Sequence, residues 1–500
     1  MRLKLSPILI AEILALVGSI GLAVGLILKG DDAHSLVPLS AEALSIGPGQ
    51  ERWFGIFLEE NHVGFSVSRS SPAQVPQRGN TDGILYEQRT SFRMPVSGTI
   101  QHVVTASAAL VDDQSQLVRF DFFMSTDLAT VSVRGEVFSD SIEVEMVTAG
   151  EVSSLSLPID EPPHVALSLE SVIQNRELSI GDRFQVPFFD PLTMAQDTMR
   201  MTVDDLEVLP NGEEAWWLST SFLGTSTRVL VTTAGEIVRQ EGSIGMALVR
   251  MTPSEAQNVP ALQTDTDLIS LAAAPIDKKI PRHRKLRHME LIAHGIDSDM
   301  LHDQAPLQRI DDSHIFNTRA DLSSLPELPV ADRSEPAWVS ATWTLPVGHE
   351  DIREKAREIV GDATTRLEAV HRLHKFVDSY VANVPNIGVP HGLAVLQSAQ
   401  GDCNEHTALF VSLARAAGIP SRIAAGLVYS TRAGPQPAFY YHAWPEVRLG
   451  GEMDWVPIDP TLSQFPADVT HIKLVEGDLD RQVEIMAFMG RISFELVDVE

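Results

Sequence analysis

The sequence predicts a multidomain chain: an N-terminal transmembrane helix, a mostly antiparallel β region and a C-terminal α+β domain. Three observations carry this. An apolar run opens the chain at residues 8–28. Short alternating apolar and polar runs, separated by turn residues, recur from about residue 51 to 255. From Asp351 the apolar period is that of helices, and after Pro420 it becomes that of strands. Helices followed by strands in one compact unit mean α+β.

The opening run holds 21 residues with one charge, Glu12, and follows Arg2 and Lys4. A helix of that length spans a hydrocarbon core. The leading positive charges keep the N-terminus cytoplasmic. The expected protein is therefore single-pass in the inner (cell) membrane, with the bulk of the chain periplasmic or extracellular. Ala23-Val24-Gly25 offers a small-residue cleavage site, so a removed signal peptide is the alternative.

Composition excludes some functions. Asp and Glu number 67 against 38 Lys and Arg, a net charge of -29. Such a surface repels phosphodiester backbones, so no nucleic-acid partner is expected. Hydrophobic residues make up 44%, enough for folded cores. A single cysteine allows no intramolecular disulfide.

The segments then follow in order. Residues 1–30 are the anchor, and 30–50, with Gly47-Pro48-Gly49, are a tether. Residues 51–255 form the β-rich exported domain. Its first hairpin pairs 53–58 with 64–70 around Glu59-Glu60-Asn61-His62. One helix, 164–175, interrupts the strands. The region clusters no catalytic groups and reads as a scaffold or binding module. Residues 256–335 are a mixed segment and linker, within which 286–293 reads as another strand. There 278–287 carries six of the 38 basic residues, and a short charge run is ordinarily a solvated face. Residues 336–500 form the catalytic domain. In it, Leu367, Val370, Leu373, Phe376 and Val377 share one helical face.

The only cysteine, Cys403, stands at a helix start. Asp402 can cap that helix and Glu405 can complete a capping box. Residues 404–417 contain no Gly or Pro, and Gly418-Ile419-Pro420 stops the helix. The first turn's unpaired N–H groups and the helix dipole favour a thiolate at Cys403. The competing reading is a buried, inert cysteine, the commoner state of a free thiol.

Two motifs follow, His442-Ala443-Trp444-Pro445-Glu446-Val447 and Trp455-Val456-Pro457-Ile458-Asp459-Pro460-Thr461. Gly450-Gly451 between them suits a two-residue hairpin turn. That turn pairs Leu449 with Glu452, and counting seven along each strand sets His442 opposite Asp459. Facing Cβ atoms lie about 4.5–5.5 Å apart. Asp459 can then hold one imidazole nitrogen and leave the other for a thiol. Pro445 and Pro457 weaken the ladder, and a longer turn shifts the register.

Taken together, GDCNEHTALFVSLARAAGIPSRIAAGLVY, YHAWPEV and WVPIDPT resemble the transglutaminase-like superfamily, which shares the papain-like cysteine protease fold. The resemblance spans about 337–463, about a quarter of the chain. It implies a C-terminal α+β transglutaminase-like (papain-like) domain. Cys403 is the implied nucleophile, His442 the general base and then acid, and Asp459 the orienting carboxylate. Bacterial members with an N-terminal membrane segment and a β-rich exported region are similar in layout. For the oxyanion, Gln397 is a candidate side-chain donor and the Cys403 N–H another. No cofactor is expected. No EF-hand loop is present, and Cys403-x-x-His406 has no second ligand pair for a metal. The implied chemistry is acyl transfer at an amide carbonyl of a protein or peptide, ending in crosslinking or hydrolysis. A cysteine peptidase or amidase is the near alternative. A non-enzymatic envelope binding or assembly scaffold is the distant one.

Overall fold

The structure, a computed structural model, describes residues 50–500 except 97–98, 128–129, 149, 175, 243–244, 262–270, 387, 434–435, 452, 483 and 486–488. The expected transmembrane helix at 8–28 lies outside these residues. Among the described residues no helix is long and apolar enough to cross a membrane. The longest, Arg366–Tyr380, has 15 residues, short of the ~20 a crossing needs. The fold class is corrected accordingly: the chain is mostly β and dominated by one large antiparallel sheet. The single-pass inner-membrane localisation, which rested on that helix alone, is withdrawn with it. Apolar length is necessary for a membrane span, but it does not by itself make one.

Chain contacts divide the protein into two compact units that part near residue 264. The first is built from β1 (Gln50–Leu58), β2 (Asn61–Val75), β3 (Thr81–Val96), β4 (Thr99–Asp112), β5 (Leu117–Ser125), β6 (Thr130–Val137) and β7 (Ser141–Thr148). It continues through β8 (Glu151–Pro158), β9 (Arg183–Asp190), β10 (Ala195–Val208), β11 (Glu214–Phe222), β12 (Thr225–Thr232), β13 (Ile237–Glu241) and β14 (Met246–Met251). Consecutive strands are neighbours within β1–β8 and within β9–β14, and β1 pairs with β14 to join the two meanders. Burial alternates along β6 and β7, the mark of a sheet with one covered face. Phe120 of β5 and Phe189 of β9 lie far apart in the strand order, yet their rings meet at 5.3 Å. The sheet therefore curls until its two arms face each other, as a long twisted sheet must.

The second unit begins with β15 (Ala274–Pro275), β16 (His288–His294), β17 (Gln308–Asp311) and β18 (His314–Thr318). Four helices follow: Glu350–Val360, Arg366–Tyr380, Gly392–Ser398 and Cys403–Ala416. A short parallel pair, β19 (Ala382–Asn383) with β20 (Gln400–Gly401), lies among them. Then come β21 (Ser421–Ser430), β22 (Ala438–Arg448), β23 (Trp455–Pro457), β24 (His471–Glu476) and β25 (Ser493–Val499). One sheet runs β15-β22-β21-β24, with β23 added on β22; another runs β17-β18-β16-β25. The core lies between helices and sheet. Val370, Leu373 and Val377 meet Leu409, Phe410 and Leu413 of the Cys403 helix, and Ile423, Val447 and Ile458 close the other side. The Cys403 helix is buried on every face from Cys403 to Arg415, so the surrounding elements hold it fixed.

Candidate active site

The site starts at the Cys403 helix. Asp402 Oδ1 accepts the Asn404 N–H at 3.1 Å, and Glu405 Oε2 accepts the Asp402 N–H at 2.8 Å. This is the capping box that the sequence predicts, and it makes Cys403 the first helical residue. The sulfur accepts the Ala443 backbone N–H and, at 3.4 Å, the Asn404 side-chain amide. The thiol thus lies against β22, one residue from His442.

Cys403 is 0% exposed. Burial, and after it the charge of Asp402, pushes its thiol well above the ordinary value. In this closed arrangement the direction is opposite to the thiolate that the helix start alone leads one to expect. Helix-end donors do favour the anion, but desolvation and two neighbouring carboxylates outweigh them.

His442 lies on β22 directly opposite Gly426 of β21. A Cβ on Gly426 would stand 2.0 Å from the Ile472 carbonyl oxygen, so only glycine lets β21 lie between β22 and β24 here. The register of β22 with β23 differs from the expected one. Glu446 pairs Pro457, and Arg448 pairs Trp455, a slip of two residues. The cause is a longer turn: the Leu449 N–H reaches the Asp454 carbonyl at 2.8 Å, and Gly450 and Gly451 have φ of 76° and 75°. A slip of two leaves every side chain on its original face. Asp459 therefore still meets His442, from the turn beyond β23 rather than from the strand itself.

That turn is closed by paired backbone bonds between Asp459 and Gln464. Asp459 Oδ1 accepts the N–H groups of Thr461 and Leu462 at 2.8 and 3.0 Å. Its Oδ2 lies 2.8 Å from His442 Nε2. An ionised carboxylate only accepts, so His442 carries its proton on Nε2 and keeps the Nδ1 lone pair for another proton. Burial opposes the charge on Asp459, but His442 and His471 together hold its carboxyl well below the usual range.

His471 is the residue that sequence reasoning missed. Its Nε2 is 3.1 Å from the same Asp459 Oδ2, and its Nδ1 is 3.1 Å from the Asp468 carbonyl oxygen. The only sequence signal was an acidic residue three positions earlier, which is common. Gln397 is exposed on the helix Gly392–Ser398, and no described contact joins it to Cys403. His406 turns its Nδ1 onto the Asp402 carbonyl, at 2.6 Å. Donor atoms of His442, Asp459 and His471 all lie within 4.8 Å of one another, a spacing open to a metal ion. The 2.8 and 3.1 Å separations from Asp459 fit hydrogen bonds.

Comparison with curated proteins finds no match. Among solved structures, three similar chains are a candidate cysteine protease from Cytophaga hutchinsonii, a β-barrel-like DUF1849 protein from Brucella abortus and a DUF1089 family protein from Pseudomonas aeruginosa. The first is 13% identical, covers 43% of this chain and 86% of its own, and has a TM-score of 0.27. The second is 10% identical, covers 40% and 97%, and scores 0.29. The third is 12% identical, covers 34% and 87%, and scores 0.21. The family model for the transglutaminase-like superfamily matches residues 353–460, a stretch running from the first long helix to the Asp459 turn. By that match, the segment of this chain that holds Cys403, His442 and Asp459 belongs to the transglutaminase-like superfamily.

Proposed function

We propose that the protein is a cysteine enzyme performing acyl transfer at amide bonds, with Cys403 as nucleophile, His442 as base and acid, and Asp459 as orienting carboxylate. The carrying observation is the buried 2.8 Å bond from His442 Nε2 to Asp459 beside a helix-start cysteine. His442 Nδ1 takes the thiol proton as sulfur attacks the amide carbonyl. The Cys403 N–H, in the first turn, is a donor for the developing oxyanion. The intermediate collapses when His442 returns the proton to the departing amine, leaving a thioester on Cys403. An amine acceptor then gives a new amide; water gives hydrolysis.

One observation favours a second reading, a binding or assembly scaffold that retains the fold without turnover: Cys403 is fully covered, and burial pushes its thiol up. The full chain should be incubated with a peptide library and a tagged primary amine, and its intact mass then followed. An acyl adduct that maps to Cys403 and vanishes in Cys403→Ala is expected. Tagged peptides would mean transfer to amines, and untagged acids would mean hydrolysis. No adduct and no product with any peptide would favour the scaffold.

A further inference from the structure

Behind the site lies a chain of buried groups that take no direct part in the acyl transfer. His471 stands between two acids. Its Nε2 faces Asp459 Oδ2 at 3.1 Å. Its Nδ1 faces the Asp468 carbonyl at 3.1 Å and Asp468 Oδ1 at 3.5 Å. Carbonyl and carboxylate oxygens only accept, so both ring nitrogens donate, and a ring with two donors is an imidazolium. Asp468 is itself held in place. Its Oδ1 accepts the Thr470 N–H and hydroxyl, and its Oδ2 accepts the Gln464 amide at 3.0 Å. All of these groups are buried.

We propose that His471 is a cationic positioning residue that clamps Asp459 from behind and sets the basicity of His442. This rests on the reading of His442 as the base. Asp459 Oδ2 is shared by two imidazoles, and its Oδ1 is taken by two backbone N–H groups, so the carboxylate cannot turn away from His442. The charges matter as much as the geometry. An unshared Asp459 would stabilise the imidazolium of His442 strongly and make it a reluctant proton donor to the departing amine. The cation on His471 offsets part of that pull.

Supporting this, burial opposes the charge on His471, but the bonds and charges of Asp459 and Asp468 outweigh it and hold the ring at about 9. Burial likewise opposes Asp468, which its partners bring down to about 2. The other charged or titratable groups around the ring are His442, at 5.8 Å between centroids, and His283, which burial first and then nearby charges, His471 among them, hold below its ordinary value. Glu446 and Lys473 line, together with His471, a cavity of about 30 Å³. Trp444 packs edge-on against His471 at 5.0 Å. The cavity gives a substituted side chain room to settle.

The test is imidazole NMR on the full chain labelled with ¹⁵N-histidine. His471→Gln keeps a neutral amide donor for Asp459 and removes the charge. In the unaltered protein His471 should carry two protons throughout pH 5–8. In His471→Gln the titration of His442 should move up by about one pH unit or more, since a neighbouring positive charge is lost. If turnover is found, the pH limb that reports His442 should move the same way. A residue that merely packs would lower activity at every pH without moving the limb. Asp468→Asn serves as a second variant should the first fail to fold: His471 should then lose a proton at a lower pH. A His442 titration unchanged in both folded variants, or a neutral His471 at pH 7, overturns the proposal. Absence of any turnover would overturn the assigned reaction instead, and the NMR readings would still decide the role of His471.

Discussion

Asp459 concentrates the chemistry of the site in one side chain. Its two oxygens serve different purposes, Oδ1 closing its own turn and Oδ2 fixing the His442 tautomer. Asp459→Asn separates them. The amide oxygen can still accept the Thr461 and Leu462 N–H groups, so the turn should persist. The NH₂ group then faces two ring nitrogens that had been donors, and His442 must flip its tautomer or swing away. The expected result is an unchanged fold by circular dichroism and a kcat lowered by about 10⁴. Near-full activity in that variant would remove Asp459 from the mechanism. At this scale the sequence was informative wherever chemistry and spacing were local. The cap, the thiol and the His442–Asp459 pair could all be read from it. The protonation of Cys403 could not, because burial is a property of everything packed around the helix. His471 could not either, because only the turn through residues 459–470 carries it back to the carboxylate.

The Cys403 helix is the element on which the site depends, and its cap links stability to reactivity. Asp402 caps the helix and also raises the thiol by its charge. Two substitutions divide these roles. Asp402→Ala loses the cap, at a cost of about 0.5–2 kcal/mol; with Asp402 fully buried, the upper half of that range is expected. Asp402→Asn keeps an oxygen for the Asn404 N–H and loses only the charge. Thermal melts of the full chain should show a lowered midpoint for Asp402→Ala and little change for Asp402→Asn. The rate of Cys403 alkylation against pH should shift to lower pH in Asp402→Asn. A midpoint in Asp402→Ala equal to that of the unaltered protein would mean the cap is not what holds the first turn. The strands behaved differently from this helix as objects of sequence reading. Their period of two was plain in β21 and β22, and the two-residue slip between β22 and β23 was not. Register depends on turn length, and Gly450-Gly451 suits both a tight and an open turn.

For the whole molecule, the limit of sequence reading is long-range pairing. Periodicity marked the many strands of the first unit and one at 286–293, which is β16, but nothing local announced that β15–β18 complete the second. β15 pairs with β22, and β16 pairs with β25 across some two hundred residues. The stretch from 271 to 335, which composition presents as a connecting segment, therefore contributes two sheet edges to the unit that holds the site. It also contributes buried side chains. Asn317 Nδ2 donates to the carbonyls of Val469 and His471 at 2.8 and 3.0 Å. Gln308 exchanges bonds with the backbone of Lys473 at 2.7 and 2.8 Å. Removing residues before 336 would strip β25 of its partner and leave these backbone groups unpaired, each at a cost of about 1–3 kcal/mol. Two fragments test this, 271–500 and 336–500. The longer should melt cooperatively, and the shorter should show a much lower midpoint or no transition. Because Asn317 braces the chain at both 469 and 471, the shorter fragment should also lose the His471–Asp459 bond and its protected ring N–H signal. Equal midpoints for the two fragments would mean that the unit is complete without β15–β18, and that the bonds from Asn317 and Gln308 contribute nothing the C-terminal segment lacks.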